Sequence, residues 1–174
     1  MAAWPYGTPK ILSGYLFNGS NDAPPQVNGA IAPHDCNDAN GNLWTCTHRW
    51  RPVAAATLWR AVTSGSSTVD NVFTQGTTVV GYSRSGKGYI LFNTNSNAIT
   101  VTVSTGLPAG KYCDTASGDF IPPSGCSGNT ITVGTDGKAE ISVPSYYISV
   151  FHMKSEISNS KSLRGNLNDS AVNL

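Results

Sequence analysis

GYILFN, at residues 88–93, is the stretch that decides the fold. Its apolar side chains occupy odd and even positions alike, which predicts a central strand that is buried on both faces. The preceding SRSGK, at residues 83–87, has the Gly and Ser content of a hairpin turn, so residues 77–82 are the predicted partner strand. A central strand with a hairpin partner indicates an antiparallel sheet.

Further strands follow on the C-terminal side. Ile99, Val101 and Val103 alternate with threonines, and residues 138–143 alternate in the same way, as half-buried strands do. Asp136-Gly137 is a strong hairpin signal and is predicted to join residues 130–133 to residues 138–143. Repeated strands at this spacing predict a mainly β protein with an antiparallel sandwich or barrel.

The N-terminal side has a different pattern. Residues 8–13 read as a short extended segment, and residues 18–42 are a long loop rich in Asn, Asp, Pro and Gly. A helix follows, with Thr47 as its cap, Pro52 in its first turn and Gly65 at its end. Its predicted apolar stripe consists of Trp50, Val53, Ala54, Leu58 and Val62.

The composition excludes several classes of protein. Charged residues make up only 12%, the net charge is +1, and no basic stripe suggests a nucleic-acid partner. No apolar stretch is long enough to predict a membrane span, and the first seven residues do not read as a signal peptide. The abundance of Ser, Thr, Asn and Gly is typical of secreted β-rich proteins, and two sequons begin at Asn18 and Asn168.

Four cysteines fall into two local pairs, Cys36/Cys46 and Cys113/Cys126. Three connectivities are possible, and we expect the two local disulfides. Free thiols or metal ligands are the alternatives, but the chain has no Cys-x-x-Cys motif, and its histidines, His34, His48 and His152, are scattered in sequence. We therefore predict no metal site.

Five motifs, in order, carry a resemblance to a known family: AWPYGTPK at residues 3–10, HRWRP at 48–52, GYILFN at 88–93, GLPAGKYCD at 106–114 and GTDGKA at 134–139. Over residues 3–152 the chain resembles the C-terminal end of animal-type, chloride-dependent-like α-amylases. The resemblance implies that residues 1–65 are the last strand, loop and helix of a (β/α)8 barrel and that residues 66–152 are a Greek-key β-sandwich called domain C. Both local cysteine pairs match disulfides of that family. Residues 153–174 are Ser-, Asn- and Lys-rich without periodicity, which predicts a disordered tail.

The resemblance also implies what the chain lacks. The parent enzymes hydrolyse internal bonds of α-1,4-glucan with retention, using carboxylates on strands that precede this segment. Glu140 and Glu156 match none of them, so the chain is expected to be non-catalytic alone. The calcium ligands of the family also lie upstream, and the loop at residues 35–42 lacks the Gly and Glu of a calcium loop. Lys10 matches a basic chloride ligand, but without its partners we expect a solvated or vestigial side chain. No cofactor is therefore expected in this chain, although the parent family uses calcium and chloride.

Aromatic side chains are the candidate sugar contacts, namely Trp44, Tyr146 and Tyr147. Trp50 and Trp59 are expected to pack within the barrel, and Arg49 and Arg51 to pair with barrel carboxylates in a full-length parent. Because a helix cut from a barrel exposes apolar surface, it should dock on the sandwich, associate with a second copy or be covered by the missing barrel.

Three functional readings follow: a structural buttress of an amylase, a free-standing module that binds starch or another glycan, and one subunit of a two-chain amylase. A secreted protein is expected in each case.

Overall fold

The structure, a computed structural model, describes residues 2–34, 36, 44–65, 67–123 and 125–157. The predicted hairpin around GYILFN is confirmed, with the central strand at the expected residues and its partner two residues further along than expected. Ser85 and Gly86 are the central residues of the turn that the Lys87 N–H closes on the Arg84 carbonyl, and their φ values of 55° and 61° are positive, as a type I′ turn requires. The strands are β1 (Gln26–Val27), β2 (Ala30–Ile31), β3 (Asp70–Gln75), β4 (Val79–Arg84), β5 (Gly88–Asn93), β6 (Ile99–Ser104), β7 (Gly110–Cys113), β8 (Phe120–Ile121), β9 (Gly125–Cys126), β10 (Thr130–Val133), β11 (Lys138–Val143) and β12 (Tyr147–His152).

The strands of the sandwich pair in nested order. β5 pairs with β12, β6 with β11, β7 with β10 and β8 with β9, all antiparallel, while β4 and β3 extend the first pair into the order β12-β5-β4-β3. Such nesting is the topology of a jelly roll, which consists of two Greek keys. The prediction of a mainly β, antiparallel Greek-key sandwich is confirmed.

The hairpin predicted at Asp136-Gly137 is only half right. The turn is present, and a hydrogen bond from the Gly134 N–H to the Lys138 carbonyl closes it at 2.8 Å. However, β10 forms its ladder with β7, and β11 forms its ladder with β6. The turn is therefore a corner between two strand pairs, and a local turn signal could not reveal the more distant partners.

The central core lies between the β12-β5-β4-β3 sheet and the other strands. Tyr89 and Leu91 of β5 and Phe151 of β12 point into it. The opposite side of this core consists of inward residues of β6, β10 and β11, which are Val103, Ile131, Val133, Ala139, Ile141 and Val143. Their alternation with exposed neighbours confirms the period of two that the sequence showed.

A second core covers the outer face of the same sheet. Helix α1 (Arg51–Val62) lies against β12 and β5, and Ala55, Ala56 and Trp59 pack on Ile90 and Val150. Gly88 permits this approach, because a Cβ atom there would lie 2.5 Å from Nε1 of Trp59. The sheet is thus buried on both faces, which explains why GYILFN is apolar throughout.

The predicted face of the helix is wrong. The stripe of Trp50, Val53, Ala54, Leu58 and Val62 is half-buried or exposed, and the small alanines with Trp59 form the docking face instead. Trp59 therefore packs on the sandwich and not within a barrel. Small residues let a helix approach a sheet closely, an advantage that a search for large apolar side chains overlooks. Pro52 does lie in the first turn, but Thr47 begins a short 3-10 helix (Thr47–Arg49), and Trp50 occupies the N-cap position of α1.

The predicted extended segment at residues 8–13 forms no strand. The nearest pairing is an isolated bridge between Tyr15 and Trp44. A strand needs neighbours for its backbone hydrogen bonds, and the described residues offer none to this segment. Further upstream, Arg60 of the helix donates to the carbonyls of Trp4 and Gly7, which anchors the N-terminal turn.

The prediction of a disordered tail is wrong for its first residues, 153–157, which pack on the sandwich. Met153–Ser155 form a 3-10 turn with Ser155 fully buried, Glu156 bridges to Tyr112, and the Ile157 N–H donates to the Lys111 carbonyl. Residues 158–174, including the second sequon, lie outside the described residues. Within the described part of the chain, no helix has the length and apolar character needed to cross a membrane.

Candidate functional site

The outward side of α1 is an exposed and partly apolar surface. We call Trp50, Ala54 and Leu58 the outer face of the helix. Trp50 is 54% exposed and Leu58 is 51% exposed. A groove of about 560 Å³ runs between this face and residues 115–120 of the sandwich, and a second groove of about 440 Å³ extends from Trp50 to Leu16. Arg49 lines both grooves, so the exposed apolar surface continues from the helix to the N-terminal segment.

An ion pair fixes the start of this helix against the sandwich. Arg51 donates to both carboxylate oxygens of Asp119, at 2.6 and 3.3 Å. The hydrogen bonds and charge of Arg51 hold the pKa of Asp119 below its usual range, and Asp119 raises the pKa of Arg51 in turn. In this chain Arg51 therefore pairs with an acidic residue of the sandwich, and its pairing with a barrel carboxylate in a full-length parent stays a prediction. Arg49 donates to the carbonyl of Cys36 at 3.3 Å.

The loop before the helix is closed by the Cys36–Cys46 disulfide, and the Cys113–Cys126 disulfide joins the end of β7 to β9. Although His34 and His48 are scattered in sequence, the structure brings both of them to the first disulfide. The Nε2 atom of His48 lies 3.8 Å from Cys36 Sγ, and that of His34 lies 3.9 Å from Cys46 Sγ. The sequence analysis missed this cluster, although each histidine stands two residues outside its cysteine.

Trp44, the first candidate for sugar contact, belongs to a small aromatic cluster. Its ring centroid lies 5.2 Å from that of His34 and 6.1 Å from that of Tyr15. The side chain is half-buried and lines the groove next to Leu16. The cluster holds the indole in a fixed orientation, while part of its surface stays accessible.

The two neighbouring tyrosines have different environments. Tyr146 is 71% exposed and sits at a φ of 51° in the turn before β12. Tyr147 is half-buried against both cores, and its hydroxyl donates to the Ala116 carbonyl at 3.0 Å. Tyr146 thus presents a free ring face, whereas the ring of Tyr147 is used in packing.

The candidate ion sites have little support. Lys10 is exposed, and no hydrogen bond or ion pair joins it to a described residue. Of the loop tested for calcium, residues 35 and 37–42 lie outside the described residues. The third histidine, His152, is buried at the end of β12, on the face of the sheet that α1 covers, and it lines the first groove.

One buried acid was missed by sequence reasoning. Asp114 follows β7, and its Oδ1 accepts the N–H groups of Ala116 and Val150 at 3.0 and 2.9 Å. Burial raises the pKa of this carboxyl, and the backbone hydrogen bonds oppose that shift. The carboxylate replaces a strand partner for these N–H groups, so its role is to close a corner of the sandwich.

Comparison with known proteins decides the relationship. The family described as "Alpha amylase, C-terminal all-beta domain" matches residues 70–154, which run from the start of β3 to the turn after β12. This region belongs to the α-amylase C-terminal domain family. The resemblance seen in the sequence is thereby confirmed, and it extends beyond the C-terminal domain to the helix and the segment before it.

Relatives at this distance are animal enzymes. The chain is 38% identical to human pancreatic α-amylase over 154 residues, covering 82% of this chain and 30% of that protein. It is 37% identical to an α-amylase of Pecten maximus over 151 residues, covering 82% of this chain and 28% of that one. The crystal structure of α-amylase I from Eisenia fetida superposes with a TM-score of 0.72 at 32% identity, covering 87% of this chain and 33% of that chain. The chain thus spans less than a third of the length of these curated relatives.

Proposed function

We propose that this chain is the non-catalytic C-terminal part of an α-amylase and that the outer face of α1 contacts the catalytic barrel. The proposal is carried by the two-sided helix: one side is buried on the C-terminal domain, and the other presents Trp50 and Leu58 to solvent. An apolar face of this kind usually marks an interaction site. In the matched relatives this region is part of a longer chain, which supports the barrel as the occupant.

Two of the described acidic residues fit a structural role better than a catalytic one. Retaining hydrolysis of a glycoside needs two carboxyl groups that are free to reach the sugar, about 5 Å apart. Asp114 has its carboxylate committed to backbone N–H groups, and Asp119 has its carboxylate committed to Arg51. The calcium and chloride of the parent family would then be held by the barrel.

Fragment complementation tests the proposal. The partner is an animal α-amylase shortened so that it lacks its own last barrel strand, last helix and C-terminal domain, and the readout is starch hydrolysis after mixing. The intact chain should restore activity that neither fragment has alone. Leu58→Asp should weaken the restored activity because it places a charge in the apolar contact, whereas Val72→Asp, on the exposed edge strand β3, should not.

Two outcomes would contradict this proposal. Activity of the isolated chain on starch would show that it is catalytic. Equal complementation by the Leu58→Asp and Val72→Asp variants would show that the outer face of α1 does not contact the barrel. Size-exclusion chromatography distinguishes the rival occupant, since a dimer of the chain that Leu58→Asp dissociates would assign this face to self-association.

A weak glucan contact is the second candidate function, favoured by the exposed ring of Tyr146. Aromatic side chains stack on apolar faces of sugar rings, and the turn before β12 holds this ring clear of the sheet. A binding isotherm on insoluble starch, with released reducing sugar measured in the same tubes, should show saturable binding without release. Tyr146→Ala should abolish that binding, and binding that survives both this change and Trp44→Ala would refute the assignment.

We also propose that the chain is secreted. Disulfides form and persist in oxidising compartments, and this chain has two of them. Expression with export to an oxidising compartment should therefore give more folded chain than cytosolic expression, as measured by soluble yield.

A further inference from the structure

Each sulfur atom of the Cys36–Cys46 disulfide lies close to a histidine ring. Both ring nitrogens of His34 lie 3.9 Å from Cys36 Sγ, and Nε2 of His34 also lies 3.9 Å from Cys46 Sγ. Nε2 of His48 lies 3.8 Å from Cys36 Sγ, and the two imidazole centroids are 5.7 Å apart. In sequence the four residues form the symmetrical pattern His-x-Cys…Cys-x-His.

We propose that the reduced form of this loop binds one Zn²⁺-class divalent ion through His34, Cys36, Cys46 and His48. In a tetrahedral zinc site with Zn–N near 2.05 Å and Zn–S near 2.3 Å, nitrogen and sulfur ligands stand about 3.6 Å apart. The observed nitrogen–sulfur distances of 3.8 and 3.9 Å are within a few tenths of an ångström of that separation. The candidate ligand atoms of His34, Cys36 and His48 all lie within 4.8 Å of one another, so rotation of the exposed imidazoles can bring them to one ion.

The sulfur atoms require the larger change. They are 2.07 Å apart in the disulfide, whereas two thiolates on one zinc ion stand about 3.8 Å apart. A dithiol reductant supplies two electrons and two protons, which break the S–S bond and give two thiols, while the dithiol becomes a disulfide. Metal binding then releases the two thiol protons. Disulfide and metal are consequently mutually exclusive states of the same loop.

Oxidation of Cys36 and Cys46 to the disulfide weakens their sulfur atoms as metal ligands. A disulfide sulfur has no negative charge to offer, so the oxidised loop keeps only the two imidazoles as ligands. The ion can reach the reduced site, because both histidines are exposed and the cysteines line the open groove beside Trp44. The proposal is independent of the barrel contact, since it concerns residues before the helix.

Cobalt titration of the reduced chain tests the site. A phosphine reductant opens the disulfide, and Co²⁺ then serves as a spectroscopic substitute for Zn²⁺. One equivalent should give the visible bands of tetrahedral cobalt and the near-ultraviolet charge-transfer band of thiolate ligands, and Zn²⁺ should displace both. The oxidised chain should not give the thiolate band.

Matched variants assign the signal to this loop. The Cys113→Ser/Cys126→Ser chain keeps the proposed ligands and should retain the bands, whereas Cys36→Ser/Cys46→Ser should lose them. His34→Asn and His48→Asn should each weaken cobalt affinity at least about tenfold, by removing a ligand. Circular dichroism of each variant separates loss of a ligand from loss of the fold.

Three results would overturn the proposal. The first is a reduced, folded chain that shows no tetrahedral cobalt spectrum. The second is a spectrum that survives Cys36→Ser/Cys46→Ser and disappears with the other cysteine pair. The third is an unchanged affinity and spectrum after both histidines are replaced, which would show that the thiolates bind cobalt without the imidazoles.

Discussion

Trp59 offers the most direct test of how the helix is attached. The Trp59 side chain is 0% exposed and lies between α1 and the sheet. The centroid of its ring is 5.8 Å from that of Tyr82, and the guanidinium of Arg84 lies over the Trp59 ring, 5.8 Å from its centroid. Roughly 200 Å² of buried side-chain surface at about 25 cal/mol/Å² corresponds to about 5 kcal/mol, as an upper value. Truncation of buried aromatic residues typically costs about 3–5 kcal/mol. We therefore expect Trp59→Ala to lower the free energy of unfolding by about 4 kcal/mol.

The matched control is Leu58→Ala on the opposite side of the same helix. Because that side chain is half exposed, its loss should cost about 1 kcal/mol or less. Guanidinium unfolding followed by far-ultraviolet circular dichroism measures both changes without relying on tryptophan emission. Equal costs for the two variants, or a cost for Trp59→Ala below that for Leu58→Ala, would refute the orientation of the helix described above.

Three further predictions address separate contacts. Gly88→Ala should cost about 1–3 kcal/mol in the same unfolding assay, because the added methyl group would overlap the rigid indole that packs on it; an unchanged midpoint would contradict that packing. Burial, assisted by the ammonium group of Lys154, lowers the pKa of His152 to about 4 from 6.5, so the folded state favours the neutral ring. Its stability contribution is present above pH 6.5 and is lost as the pH falls towards 4, amounting to about 3 kcal/mol; the loss over this range should shrink in His152→Gln, and identical pH profiles would refute it. Asp119→Asn should lower stability slightly at low salt and not at high salt, since its ion pair with Arg51 is exposed; an effect that persists in high salt would point to a role other than charge pairing.

The sequence predicted those parts of the fold that depend on local pattern. The burial of β5 on both faces could be predicted from GYILFN, because apolar residues at both odd and even positions are visible in the strand's own sequence. The partners of β10 and β11 did not follow from Asp136-Gly137, since a turn fixes only the residues beside it, whereas ladders form with distant strands. The docking face of α1 was missed because the helix is apolar on two sides, and periodicity alone cannot rank them.

The cluster at the loop disulfide was missed for a related reason. His34 and His48 are fourteen positions apart, and treating them as scattered ignored the expected cross-link between Cys36 and Cys46. A disulfide brings its neighbours in sequence together as well as its own sulfur atoms. Residues at equal offsets from two paired cysteines should therefore be considered as one group when candidate sites are sought.

The second core changes how the chain should be divided. A boundary near residue 65 follows from the relation to the barrel, and the family match begins only at residue 70. Yet Ile90 and Val150 lie on the outer face of the sheet and are covered by helix residues. These residues, Ala55, Ala56 and Trp59, come before residue 65 as well as residue 70. Removal of the helix would expose that face of the sheet, whereas the outer face of the helix is already exposed in the described part of the chain. The physical unit that the sandwich requires therefore begins at or before α1, so the last helix assigned to the barrel by resemblance also completes the C-terminal domain.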